Sequence, residues 1–247
     1  MSGHSKWASI KHKKGAADAK RGRIFTRLVK EIIIAARQGG GIAENNPRLR
    51  TAIMTARGNN MPRENIEKAI KRGTGELEGV SYDEITYEGY GQNGVAIIVE
   101  VLTDNKNRTV ADVRHVFSKY GGNLAESGAV SWNFEQKGLV KIPAEGISED
   151  DIMMQALDAG AEDVELDDEN WAIYTPVSDF TKVMNDLEKQ GLKIVSAELT
   201  RVPKTTVNAD SVAEKLLRLI EMLEDLDDVQ KVYANFELSD EVLETLA

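Results

Sequence analysis

Apolar residues in the first third of the chain return every three to four positions, the period of helices that bury one face. Turning about 100° per residue from Arg23 gathers Lys20, Arg23, Arg27, Lys30 and Arg37 in one narrow arc. Ile24, Phe25, Leu28, Val29, Ile32, Ile33 and Ala36 cover the opposite side, so residues up to Arg37 are predicted to form an amphipathic helix. Gly39-Gly40-Gly41 ends it, and Asn46-Pro47 opens a second helix with Pro where its missing N–H costs nothing. In that helix Leu49, Ala52, Ile53 and Ala56 form the apolar stripe, beside Arg48, Arg50 and Arg57, until Gly58-Asn59-Asn60. A third helix starts at Pro62 and runs to Gly73, with Ile66, Ala69 and Ile70 inward and Lys68, Lys71 and Arg72 outward.

From Glu76 the pattern becomes Gly-punctuated and β-branched, which places a boundary within Thr74 to Ser81. EITYEGYG and GVAIIVEVLTD, joined through Gln92-Asn93-Gly94, read as a β-hairpin. Thr109 and Asp112 are spaced as a capping box opening the helix VADVRHVFSKYGG, and AVSWNF reads as a strand. Residues 138–202 repeat the order βαββαβ of a ferredoxin-like unit. The one helix and one strand left after residue 206 are too little for a domain. They complete the unit left open at Phe134. The expected fold class is α+β: a basic three-helix domain (1–75), then two ferredoxin-like domains, one split (76–134 plus 206–247) and one (138–202) inserted in it.

Charge sharpens this division. Residues 1–75 carry 17 Lys and Arg against 5 Asp and Glu (+12), leaving 14 against 36 (−22) for the remainder, so the net −10 conceals a cationic module on an acidic body. Such asymmetry points to a polyanionic partner for one end. The segment before the first helix adds Lys6, Lys11, Lys13, Lys14 and Arg21 against Asp18 alone. We read this tail, the stripe on the first helix, and Arg50, Arg57, Lys71 and Arg72 as a nucleic-acid-binding surface, because surface charge is normally mixed in sign and here is not. Trp7 in the tail has two open roles, stacking on an unpaired base or anchoring the tail to the helices. Lys106 and Arg108 lie between a strand and a helix N-terminus, where a second anion contact competes with a plain Asn/Asp turn.

Other chemistry is thin. With no cysteine there are no disulfides and no thiolate metal ligands, which fits a reducing compartment. No secretory leader or membrane span is expected. Gly89-Tyr90-Gly91-Gln92-Asn93-Gly94 has the letters of a dinucleotide-binding loop but precedes a strand rather than a helix, so it reads as a hairpin turn. The acid-rich stretch between Ile142 and Thr181 lacks the spacing of a calcium loop and reads as a solvated face, turned from nucleic acid or toward basic proteins. Three histidines and no nucleophile elbow, phosphate loop or zinc motif leave no enzyme, no metal, no cofactor and no small-molecule substrate to propose.

The blocks GHSKWASIKHKKGAADAKRGRIFTRL, NPRLRTAI, NMPRENIEKAIKRGTG, YEGYG, LTDNKNRTVADVRHVFSKYGGNL and LEDLDDVQKVYANFE closely resemble the YebC/PmpR family along nearly the whole chain. The resemblance implies a three-domain cytoplasmic protein acting in gene expression: a DNA-binding transcriptional regulator or, as in mitochondrial translational activators, an RNA- or ribosome-associated translation factor. Because the match begins at Ser2, no mitochondrial presequence is expected.

Overall fold

A computed structural model of the chain describes residues 17–246, with side chains from Gly22 onward. The elements in order are α1 (Ala17–Gly39), α2 (Pro47–Gly58), α3 (Arg63–Thr74), β1 (Asp83–Tyr90), β2 (Ala96–Thr103), α4 (Lys106–Lys119), β3 (Asn123–Leu124), β4 (Phe134–Pro143), α5 (Glu149–Ala159), β5 (Asp163–Asp167), β6 (Asn170–Pro176), α6 (Phe180–Lys189), β7 (Ser196–Pro203), β8 (Val207–Asn208), α7 (Ala213–Glu224), β9 (Val229–Ala234), β10 (Phe236–Glu237) and α8 (Asp240–Leu246). The architecture is α+β, with three helices followed by two four-stranded antiparallel sheets and a short parallel pair of β8 with β10.

One buried side chain joins α1 to α2. Asn46 accepts the Leu49 N–H at 3.1 Å as N-cap while its amide donates to the carbonyls of Ala35 and Gly40, each at 2.8 Å. It thereby satisfies backbone groups that helix ends leave orphaned. Ile32, Ile33, Ala36, Leu49, Ala52, Ala56, Ile66 and Ala69 form the core between the three helices. Gly73 permits the close approach of α3 to α1, since a Cβ there would lie 2.5 Å from the Ile33 carbonyl and 2.7 Å from the Ala36 methyl.

The first sheet has the order β3-β1-β2-β9. Its last strand comes from residues 229–234, paired from Ile97↔Ala234 to Val101↔Val229, so the C-terminal segment completes a sheet begun at Asp83. Alternation along β2 serves two faces. Ile97, Val99 and Val101 pack under α4 and α7 with Phe117, Leu216 and Leu219, whereas Ala96 and Ile98 meet Val130, Phe134 and Tyr233 behind. The second sheet has the order β5-β6-β4-β7, the ferredoxin-like arrangement. α5 and α6 cover one side of it through Ile152, Ala156, Val183 and Leu187 over Val140, Ile142 and Ile173.

Two local expectations are corrected. Ala129–Asn133 is not a strand: residues Ser131–Asn133 form a 3-10 turn and Phe134 opens β4. The cause is Glu88, only 4% exposed, whose carboxylate accepts the N–H groups of Gly128, Val130 and Ser131 at 2.7–2.8 Å. Burial raises the pKa of this acid, and those three hydrogen bonds bring it below the usual carboxylate value. Likewise, α4 is capped not by Thr109 but by Asn105, which accepts the Arg108 N–H at 3.1 Å. Thr109 is buried, and its hydroxyl is used elsewhere.

Candidate nucleic-acid interface

The link from α7 to β9 reads Glu224-Asp225-Leu226-Asp227-Asp228, four carboxylates in five residues. It lies against α1. Lys30 is 7% exposed and spends all three donors there, on Asp228 Oδ1 at 2.8 Å and the carbonyls of Asp227 at 3.0 Å and Leu102 at 3.3 Å. Asp228 is equally buried. Its Oδ2 accepts from Arg108 and Thr109 at 2.7 Å and from Thr103 at 3.1 Å. Burial alone would raise the pKa of this acid, but the bonds from Arg108, Lys30 and Thr109 dominate and hold it down to about 2. One carboxylate thus ties α1, the end of β2, the start of α4 and the start of β9 together.

The rest of the inner arc follows Lys30. Arg23 pairs with Asp225 at 3.2 Å, and Arg27 donates to the Glu224 carbonyl. Burial lowers the pKa of Arg27 despite the acids around it, and its Nε is buried with no hydrogen-bond partner. On α2, Arg48 clamps Glu31 at 2.7 Å and Glu84 at 2.5 Å, joining the helices to β1. Burial opposes the Arg48 charge, and the two carboxylates outweigh it and raise the pKa.

The cations expected to act as one surface therefore separate into two groups. Lys30 is buried against the acidic link, Arg27 donates to its backbone, and Arg23 pairs with Asp225 while its side chain stays 38% exposed, so the arc does not present a continuous outward stripe. The sequence carried a sign of this in Ile34, which falls inside the cationic arc and is 3% exposed. Arg37, Arg57, Lys71 and Arg72 stand at the surface. Arg37 donates to Ser81 Oγ at 2.7 Å, and the other three have no ion pair among the described residues. Gly73 packs against the backbone of Arg37, Lys71 and Arg72 lie in the last turn of α3, and Arg57 lies in the last turn of α2. Arg50 is half-buried with its Nε unpartnered. Lys106 pairs with Asp83 at 3.3 Å and Arg108 with Asp104 and Asp228. Lys6, Trp7, Lys11, Lys13 and Lys14 lie outside the described residues, as do the side chains of Lys20 and Arg21.

A cationic helical module fixed by ion pairs to an α+β body defines the class of protein. Comparison with known proteins defines it further. Residues 5–76 match the family profile described as the TACO1/YebC protein N-terminal domain, and residues 82–236 that of the TACO1/YebC second and third domain. A protein from Dictyoglomus turgidum is 58% identical over the full length of both chains, and one from Syntrophobacter fumaroxidans is 53% identical, again over both full lengths. Each is named a probable transcriptional regulatory protein. The crystal structure of a conserved hypothetical protein from Aquifex aeolicus superposes with a TM-score of 0.87 at 51% identity, covering 96% of this chain and 98% of the other. The chain belongs to the TACO1/YebC family.

Proposed function

We propose that this chain is a cytoplasmic regulator of gene expression that binds nucleic acid through its N-terminal helical unit, and that it carries out no catalysis. The observation that carries this reading is the net +12 of residues 1–75 on a body of −22, with Arg57, Lys71 and Arg72 left without internal partners among the described residues. The names of the relatives, probable transcriptional regulatory proteins, support the same class of role. The contacts fall to the exposed Arg37, Arg57, Lys71 and Arg72 and to the tail cations Lys6, Lys11, Lys13 and Lys14. Arg23, Arg27 and Lys30 act indirectly by fixing the helical unit to the body.

This division also supports a second reading, a translation factor bound to ribosomal or other structured RNA. Lys30 and Ile32–Ala36 are buried, so the middle of α1 is not open for entry into a major groove. Phosphate and shape contacts from the remaining arginines and lysines suit an RNA surface equally well. Crosslinking in cells, with sequencing of both DNA and RNA, separates the two. Enrichment of DNA sites that is lost in the Lys71→Ala/Arg72→Ala variant supports the first reading, and enrichment of ribosomal RNA supports the second. Absence of both rejects a nucleic-acid role.

A further inference from the structure

We propose that the outer side of α5 is a docking surface for a basic amphipathic helix of a partner protein. The helix buries Ile152, Ala156 and Ala159 against the second sheet, yet leaves Met154 62% and Leu157 51% exposed. Met153 is partly buried beside the core. Leu157 lies one helical turn from both Met153 and Met154, and the three share about a 100° sector of the helix surface. Leu166, 50% exposed, adds an apolar side chain on the edge strand β5, against which α5 packs. It points to the same side as buried Val164, two residues earlier.

Charge selects the occupant. Residues 143–180 contain 12 Asp and Glu and no Lys or Arg. On α5 itself Glu149, Asp150 and Asp158 are exposed without an ion pair among the described residues, with Asp150 and Asp158 each one turn from Met154. A polyanion is repelled by this face. A helix with apolar residues at i, i+3, i+4 and i+7 and lysines or arginines beside them meets both features, and unbranched methionines adapt their shape to such a ligand. The inference goes beyond nucleic-acid binding and stands without it.

The test labels the methionine ε-methyl groups of the full chain and follows Met154 and Met153 by NMR. The probe is a synthetic Lys/Leu peptide of about 18 residues with leucines at helical spacing. The expected result is a saturable shift of both methyls, with affinity reduced about tenfold or more by Leu157→Asp in a protein of unchanged melting temperature. A Lys/Ser peptide of equal charge that binds as tightly reduces the face to charge attraction and overturns the proposal, as does an unmoved Met154 methyl. Two further results overturn it by naming another occupant. One is a Met154 shift on dilution of the protein alone, which assigns the face to a second copy. The other is a Met154 shift on deletion of residues 1–16, which assigns it to the chain's own basic tail.

Discussion

Replacing Lys30 with Met removes a charge at a point where three parts of the chain meet, and its cost follows from what is left behind. Breaking a buried ion pair by deleting one partner costs about 3–5 kcal/mol, because the other charge stays buried. Here Asp228 keeps Arg108, Thr109 and Thr103, which argues for the lower end. Against that, the carbonyls of Leu102 and Asp227 lose a donor, at about 1 kcal/mol each where water cannot replace it. A destabilisation of about 3 kcal/mol is expected from urea unfolding at neutral pH. The double variant Lys30→Met/Asp228→Asn is expected to recover about 1 kcal/mol or more, since it removes the stranded charge. If Lys30→Met lies within about 0.5 kcal/mol of the parent, as surface substitutions do, Lys30 is not part of an interdomain tie and the packing of α1 on the acidic link is wrong.

Acid should weaken the same tie in a defined window. Asp228 is held down to about 2 against about 3.9 unfolded, so its contribution, about 2 kcal/mol, is complete above pH about 4 and lost as pH falls toward about 2. Unfolding free energies across that range should drop more steeply for the parent than for Asp228→Asn, and parallel curves refute the assignment. Gly73→Ala drives a methyl into the Ile33 carbonyl and is expected to cost about 1–3 kcal/mol; an unchanged melting temperature means that α3 does not approach α1 so closely. Residues 134–203, which hold all four strands of the second sheet, are expected to fold when expressed alone, whereas residues 76–133 without β9 and α7 are not. A well-dispersed spectrum from the latter fragment contradicts the division of the chain into a split and an inserted unit.

Periodicity made the three helices and the βαββαβ order of residues 138–202 legible, because each pattern reports a face that the local segment itself must bury. Asn46-Pro47 and Gln92-Asn93-Gly94 were legible for the same reason, since caps and turns are settled within a few residues. What stayed hidden depends on residues far away in the chain. Nothing near Ala129–Asn133 shows that Glu88, some forty positions earlier, gathers its N–H groups into a turn. A helical wheel shows that Arg23, Arg27 and Lys30 share an arc but not that an acidic segment about 200 positions later covers it. Ile34 in that arc, and the run of acids at Glu224–Asp228, were the two hints available.

Salt dependence of binding bears most directly on the role of the N-terminal unit. Affinity for duplex DNA and for a ribosomal RNA hairpin should be measured by fluorescence anisotropy over a range of salt, for the parent and for Arg57→Ala/Lys71→Ala/Arg72→Ala. These side chains are exposed, so the variant is expected to fold. Its affinity should fall for every sequence alike. Its slope of log K against log salt should flatten on both ligands, by up to about 0.9 per lost phosphate contact on duplex DNA. A folded triple variant with unaltered affinity and slope on both ligands contradicts the account and moves the polyanion to another surface.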